Sequence, residues 1–424
     1  METTSFFTKK AIKRTFGEVN DFIEAVIMQY FHEHRTLKKI QIAGTNGKGS
    51  TSAMIYSILR EAGYLVGFFT SPSLVFVNER IELNGKTISD ERLVGYIPAI
   101  RSIEAKMGRR FSGFDRITAA GALYFIEEKV DYAVMETGLG GRFDTVTAVP
   151  DIVLAVITTI AMDHEVMLGR TLTDMAFEKC GILNYKTPLV TAPQEPEAAI
   201  QMEATVHALK NNILRVADCE ITNASSKQQN CAIVDTGSLG RFELTIPLYG
   251  AHQRINAALA LLAALQLREI GAKISNDQIL NGIKNTIWRG RMQILNVNSL
   301  NCSLLLDGAH NPNAMHALSD AIREAYGENK RFTAIVSIMQ DKNIDGILMY
   351  MSGFVEKAYC VAVNERAIAA NDLAQKMFEH GITALSCPSL DDALSKLNDE
   401  NNDIVLICGS LYLVGAVLAK FEKA

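Results

Sequence analysis

Apolar positions first recur at helical spacing, with Phe22, Ile23, Val26, Ile27 and Tyr30 on one face of a helix expected over residues 11–34. Such a helix covers a sheet. A short apolar run at 40–43 then reads as a buried strand, broken by Gly44, Gly47 and Gly49 and followed by a helix over 50–61. Residues 65–69 read as a second strand ending in Thr70-Ser71-Pro72. Residues 79–89 alternate around an Asn-Gly turn and predict a small hairpin. A helix over 115–129 leads to a core strand at 131–137, which carries Glu136 and runs into Gly138-Leu139-Gly140-Gly141. A strand at 152–158 leads into Asp163-His164, and a helix over 172–183 carries Glu178 and Lys179. Strand alternating with helix is the pattern of a doubly wound, mostly parallel sheet.

From 231 to 249 the pattern changes to short alternating strands. A long Ala/Leu-rich helix follows over 251–270, then a second helix to about 287. The sole tryptophan, Trp288, stands in a short polar junction, WRGR, where a linker is expected. Beyond it the α/β alternation repeats on a smaller scale. A strand at 304–306 ends in Asp307-Gly308-Ala309-His310-Asn311-Pro312, and further strands are expected at 332–337, 357–363 and 403–408. The stretch 225–230, SSKQQN, reads as a polar loop.

At 424 residues the chain exceeds one ordinary core, so two domains are expected, 1–287 and 288–424. With 48% hydrophobic and 21% charged residues it has a globular composition, and a net charge of −5 gives no reason to expect nucleic acid or an anionic membrane. Seven cysteines without a CxxC argue against a disulfide framework or a zinc site and for a reducing, cytoplasmic setting. No apolar region follows the early charges as a signal peptide would require, and no run is long enough to cross a bilayer.

Strand, glycine-rich turn and helix at 40–61 form a phosphate-binding geometry: free backbone N–H groups and the positive helix end point into one concavity. Lys48 adds charge for the β/γ-phosphates, and Ser50 or Thr51 supplies a hydroxyl to Mg²⁺. The run departs from the Walker A pattern, having Ile42 in place of the first glycine and Gly49 between Lys48 and Ser50. The alternative is a plain glycine-rich βα turn. Ser50, Ser71, Glu136 and His164 each follow or end a predicted parallel strand, so all four can converge on one sheet edge as Mg²⁺ ligands. Singly, each has a structural alternative, as turn former or satisfied loop residue. Asp307, His310 and Asn311 suit either a helix cap or a polar ligand.

Nine blocks, in order, carry a resemblance: IAGTNGKGST at 42–51, TSPSL at 70–74, ERIELNG at 79–85, METGLGGRFD at 135–144, TTIAMDHEVMLGRTLTDMAFEKCGI at 158–182, GAHQRINAALA at 250–260, WRGR at 288–291, DGAHNP at 307–312 and GSLYLVG at 409–415. Together they resemble the folylpolyglutamate synthase/dihydrofolate synthase branch of the Mur ligases. The resemblance implies a phosphate-loop domain plus a smaller Rossmann-like carboxy-terminal α/β domain. It also implies an ATP-dependent amide ligase that activates a carboxylate as an acyl phosphate for attack by L-glutamate. By match to the family's motifs, Asn46, Gly47, Lys48, Gly49, Ser50 and Thr51 would hold the triphosphate. Asn256, Arg291 and Asp307 would contact adenine, phosphate and ribose. Ser50, Ser71, Glu136, His164 and Lys179 would serve two Mg²⁺ sites, with Lys179 carbamylated; Lys48, His164, Lys179 and His310 would be catalytic. Without the family match, Lys179 reads as an ordinary helix ion pair.

The sequence departs from the family around the acyl substrate. Ser73 replaces the usual histidine, Phe114-Asp115-Arg116 replaces an aromatic–acidic–aromatic run, Arg142-Phe143-Asp144 ends its motif in Thr147 rather than Asn, and Arg289 replaces a proline. Of these, Ser73, Phe114, Asp115, Arg116, Arg142, Phe143 and Asp144 are the expected substrate contacts. The expected activity is glutamate addition to dihydropteroate, to the γ-carboxylate of a folate, or to both, by a monomer with small-molecule substrates. The alternatives are a paralogue acting on a different carboxylic acid and a nucleotide-binding protein without catalysis. Closure of the two domains about 288–291 on ATP is a further expectation.

Overall fold

A computed structural model describes residues 2–8, 15–32, 35–224, 230–397 and 403–421. The polar stretch expected at 225–230 lies outside them except for Asn230, as do residues 11–14 and 33–34 of the first expected helix. The chain forms two compact units: Met1–Ala224 with Cys231–Pro247 and Arg254–Thr286, and Ile287–Ala424 with Ser225–Asn230 and Leu248–Gln253.

The first unit is built on eight strands: β1 (Lys39–Ala43), β2 (Val66–Phe69), β3 (Ile81–Leu83), β4 (Lys86–Thr87), β5 (Tyr132–Glu136), β6 (Ile152–Ile157), β7 (Leu189–Thr191) and β8 (Ile213–Arg215). Their order is β4-β3-β2-β5-β1-β6-β7-β8. From β2 to β8 every pairing is parallel. β3 and β4 form the antiparallel hairpin, whose Asn84 (φ 45°) and Gly85 (φ 87°) supply the two left-handed residues such a turn needs. β1, β2 and β5 are buried throughout, as expected of central strands covered on both faces. The helices Phe16–Phe31, Ile97–Lys106 and Gly113–Glu127 pack over one apolar core, in which Phe22 stacks on Phe111 at 4.0 Å.

The helix expected over 172–183 stops earlier. Leu172–Lys179 is α-helical and Cys180–Ile182 is a 3₁₀ turn. Gly181 explains the tighter turn, since a Cβ there would lie 2.3 Å from Arg142 Cβ: the backbones touch. β7 and β8 escaped the sequence reading because three residues carry no readable period. Three further strands, β9 (Glu220–Asn223), β10 (Asn230–Asp235) and β11 (Arg241–Ile246), form a small sheet.

The second unit holds β12 (Gln293–Asn296), β13 (Ser303–Leu306), β14 (Phe332–Val336), β15 (Val355–Cys360), β16 (Thr383–Ser386) and β17 (Ile404–Cys408), ordered β12-β13-β17-β14-β15-β16. Only the edge strand β12 is antiparallel. The last strand returns between β13 and β14, so the crevice at their carboxyl ends lies where the strand order reverses. Among the described residues, no helix is long and apolar enough to cross a membrane.

Candidate active site

The strands that carry Ser71, Glu136, the glycine-rich turn and His164 are neighbours, in the order β2-β5-β1-β6, and all point the same way. Their carboxyl ends share one edge. There the turn after β1 is fixed by close backbone approaches. A Cβ on Gly44 would fall 1.9 Å from Thr158 Oγ1, and one on Gly47, at φ 89°, 2.4 Å from Asn256 Oδ1. The second contact sets Asn256 against the loop from a helix 209 positions later. Thr45 N donates to Thr159 O at 2.9 Å, and Thr45 Oγ1 donates to Ala161 O at 2.9 Å. The loop then opens the 14-residue helix Lys48–Glu61, with Gly49, Ser50 and Thr51 buried in its first turn. Its N-terminus supplies the dipole and the backbone N–H groups that favour phosphate.

Two lysines meet at this loop. Lys48 Nζ donates to Gly44 O and Thr45 O, both at 3.1 Å, and Lys179 Nζ donates to the same Gly44 carbonyl at 2.9 Å. Burial, then repulsion from Lys48, lowers the Lys179 pKa to about 7, against the pull of Asp163 and Glu178. Glu136, also buried, accepts from Thr70 Oγ1 at 2.6 Å and from Ser71 N at 3.2 Å. His164 adopts the left-handed conformation (φ 53°), its N–H donates to Asp163 Oδ1 at 2.9 Å, and its Nε2 lies 4.0 Å from Asp163 Oδ2. Thr70 and Asp163 were not singled out from the sequence, although each stands beside a residue that was. Among the described residues, no three His, Cys, Asp or Glu side chains group as a metal cluster. The expected ligand set at this edge would instead combine the Ser50 and Ser71 hydroxyls with Glu136, His164 and Lys179, and its oxygen donors suit a hard cation that keeps part of its water.

The expected acyl-substrate residues divide. Phe114 lies against Gly138, where a Cβ would meet its ring at 2.4 Å. Arg142 lies over the Phe177 ring at 3.8 Å and donates to Phe177 O at 3.3 Å, while Phe143 is 55% exposed. Ser73 is half-buried in a loop whose next three N–H groups, of Leu74, Val75 and Phe76, converge on the Glu79 carboxylate. Asp115 and Arg116 are buried and internally engaged. Asp115 closes the capping box with Ser112 and accepts from Thr145 Oγ1; Arg116 donates twice to Glu104 Oε1, at 2.9 and 2.8 Å. Asp144 holds the loop before it, accepting from Gly138 N at 3.1 Å and Leu139 N at 2.9 Å. Thr147 extends that support: Gln41 Nε2 donates to Thr147 Oγ1 at 2.8 Å, which donates to Gly141 O at 2.7 Å.

In the second unit, Asp307 follows β13 and accepts from Met292 N at 2.9 Å and Ala309 N at 2.8 Å. Burial pushes its pKa up, against Arg291 and these two N–H groups. Arg291 Nη1 donates to Gly290 O at 2.8 Å. His310 Nδ1 donates to Gly308 O at 2.8 Å, which places its proton on Nδ1, and Asn311 caps the helix Pro312–Tyr326. Asn311 thus carries the helix cap, and Asp307 and His310 take no part in it. Ser337 and Ser410, just beyond β14 and β17, are also buried at this edge; Ser410 belongs to the 409–415 block, and Ser337 was not noted from the sequence.

A phosphate loop with two lysines on one carbonyl, joined in one chain to a second parallel α/β unit with a polar switch-point loop, is the construction of an ATP-dependent ligase of the Mur class. Residues 42–264 match the Mur ligase middle domain and residues 290–411 the Mur ligase glutamate ligase domain. More narrowly, the chain belongs to the dihydrofolate synthase/folylpolyglutamate synthase family. It is 35% identical over 403 residues to the Bacillus subtilis dihydrofolate synthase/folylpolyglutamate synthase, covering 92% of each chain, and 32% identical to that of Escherichia coli, covering 89% and 85%. Among solved structures, Mycobacterium tuberculosis folylpolyglutamate synthase complexed with ADP and AMPPCP superimposes with a TM-score of 0.85 at 26% identity, over 96% of both chains. E. coli FolC in complex with DHPP and ADP gives 0.85 at 27%, over 98% of this chain and 95% of that one.

Proposed function

We propose that the chain joins L-glutamate to dihydropteroate, to the γ-carboxylate of a folate, or to both, with ATP as the activating substrate. The observation that carries this is the parallel edge where Lys48 and Lys179 share the Gly44 carbonyl, in a chain 35% identical to a dihydrofolate synthase/folylpolyglutamate synthase. In the reaction an acceptor carboxylate oxygen bonds to the γ-phosphorus as the β–γ bridging bond breaks, releasing ADP. The glutamate amine then attacks the acyl carbon, phosphate leaves, and the amine loses its proton. Most of this chemistry is positioning and charge neutralisation. The loop N–H groups and Lys48 hold the β- and γ-phosphates, with Lys48 exchanging backbone carbonyls for phosphate oxygens. Asn256 borders the same loop, and in the second unit Arg291, Asp307 and His310 stand at the family's nucleotide and amine positions.

Mg²⁺, when bound, screens the phosphate charge; Ser50, Ser71, Glu136, His164 and a carbamylated Lys179 would hold two ions. Glu136 fits that role as a buried carboxylate that accepts from the neutral donors Thr70 and Ser71. Lys179 fits it because a pKa of about 7 leaves much of the side chain as free amine at neutral pH, the form that adds CO₂ and loses a proton. Residues 1–287 are assigned to ATP binding and 288–424 to the glutamate end of the reaction. We place the enzyme in the cytoplasm as a monomer; its seven free cysteines support a reducing setting.

The test is ADP release by the purified chain with Mg-ATP and L-glutamate, comparing dihydropteroate, tetrahydrofolate and no acceptor. Release that requires a pterin acceptor is the expected result. Silence with both acceptors, in a protein that still binds ATP, would overturn the folate assignment. It would favour ligation of another acid, the second reading, raised by the altered residues Ser73, Arg116 and Thr147.

A further inference from the structure

Ser71 and Ser73 lie in one loop, between β2 and β3, and two carboxylates hold that loop from either side. On one side is Glu136, which takes Thr70 Oγ1 and Ser71 N. On the other is Glu79, the third residue of the 3₁₀ turn Val77–Arg80, whose side chain reaches back over the residues before the turn. Glu79 Oε2 accepts from Leu74 N at 2.8 Å and Val75 N at 3.1 Å. Its Oε1 accepts from Val75 N at 3.3 Å and Phe76 N at 3.2 Å. Thr70 N donates to Arg80 O at 3.1 Å and closes the loop at its base. Pro72 and Ser73 are the stretch between the two carboxylate clamps.

Glu136 has a part in the proposed chemistry, whereas Glu79 has had none. Yet the turn that presents Glu79 is the fixed side of the contact. Val77 is buried in the core of the first unit, and Asn78 Nδ2 donates to Ile88 O at 3.0 Å and to Asp90 Oδ1 at 2.9 Å. The anchored turn therefore shapes the loop, and not the reverse. Successive backbone N–H groups that point to one spot form a concavity of partial positive charge. An ionised carboxylate only accepts, and its bonds from N–H donors are charge-assisted. Here each oxygen takes two N–H groups, so replacing either oxygen by a donor breaks half of the contact. Among the described residues, every hydrogen bond of the Glu79 side chain goes to this loop and none to the phosphate loop. Without Glu79, three N–H groups of a half-buried loop must find other acceptors, and the backbone that carries Ser73 is no longer fixed.

We propose that Glu79 is a positioning residue for the acyl acceptor: by gathering the N–H groups of residues 74–76 it sets where Ser73 stands beside the Glu136 edge. The inference rests on the ligase reading of that edge. The test compares wild type, Glu79→Gln and Glu79→Ala as full chains, by three measurements. The first is ADP release with Mg-ATP and L-glutamate while dihydropteroate or tetrahydrofolate is varied. The second is calorimetric binding of an ATP analogue without Mg²⁺. The third is hydrogen exchange, read by mass spectrometry, over residues 70–80 and 44–51. In Glu79→Ala the KM for the acceptor is expected to rise about tenfold or more, with affinity for the ATP analogue unchanged. The amides of 74–76 should exchange faster and those of 44–51 as in wild type. Glu79→Gln, which keeps the size and one accepting oxygen, should fall between the two; it carries the same comparison if Glu79→Ala does not fold. A general loss of structure would instead lower ATP-analogue affinity and speed exchange in both segments. That outcome, or an unchanged acceptor KM, would overturn the proposal. If wild type turns over neither acceptor, the folate assignment fails, and the exchange data decide this inference: unaltered exchange at 74–76 overturns it.

Discussion

Lys39 is a buried lysine outside the site. Its ammonium group donates to the carbonyls of Val146 at 2.7 Å and Val149 at 2.5 Å, at the end of the short helix Thr145–Ala148. Burial pulls its pKa down to about 7, opposed by Asp144 and Asp151. Between that value and the ordinary 10.5, the unfolded chain holds a proton that the folded chain has shed, so stability rises with pH through this window. Lys39→Met should remove that slope, on the order of 1 kcal/mol per pH unit. The substitution should also cost about 2 kcal/mol at pH 9, where two carbonyls lose their donor. Denaturant unfolding of both proteins at pH 7, 8 and 9 checks this; parallel profiles would refute it. Lys179 has the same shift for a different use. ADP release should fall at least tenfold in CO₂-depleted buffer and return with bicarbonate, whereas Lys179→Ala should stay inactive with bicarbonate. Full activity without CO₂ would remove the carbamate from the proposed chemistry. Neither burial was legible in the sequence. Lys39 is one polar residue at a strand's start, and Lys179 reads as a surface ion pair until β1 is folded against it.

At the level of elements, the phosphate loop gives a sharper test, because its shape rests on Gly47. The left-handed φ of 89° and the Asn256 oxygen 2.4 Å from a would-be Cβ both exclude a side chain. Gly47→Ala should therefore distort the loop at a cost of about 1–3 kcal/mol, read as a ten- to hundredfold loss of affinity for an ATP analogue with little change in the main melting transition. Unchanged affinity by calorimetry would show that the loop relaxes freely. The loop itself was legible, since strand, glycines and helix are contiguous. Its contact with Asn256 was not, because no local pattern joins positions so far apart; only the family resemblance linked them. The central strands were legible for the same local reason, whereas β7, β8 and β16, three or four residues long and toward the sheet edges, were not. Asp115, Arg116 and Asp144 stood out as polar residues in motif positions, but the sequence did not show that their charges are taken up by an N-cap, an ion pair and a loop.

Over the whole molecule, the two compact units do not follow one cut in the chain. The second takes Leu248–Gln253 from a stretch that precedes most of the first unit's last helices. Tyr249 packs against the second core, and a Cβ on Gly250 would stand 2.9 Å from Ala321 Cβ on the helix Pro312–Tyr326. Asn230 Nδ2 fastens the strap by donating to Leu248 O at 2.7 Å. A sequence reading that looks for a polar junction finds the linker near Trp288 but not a strap returning from 40 positions earlier, since a strap carries no period of its own. A fragment comprising Ile287–Ala424 alone lacks this cover. Losing one half-buried tyrosine and its neighbours should cost it about 2 kcal/mol. Trp288, the sole tryptophan, reports on this unit in both proteins. Its fluorescence in a denaturant titration should show an earlier midpoint in the fragment than in the full chain, and the fragment should bind a hydrophobic dye. Adding back residues 246–256 as a peptide should move the midpoint toward that of the full chain. Equal midpoints without the peptide would mean that the strap rests on the second core without stabilising it.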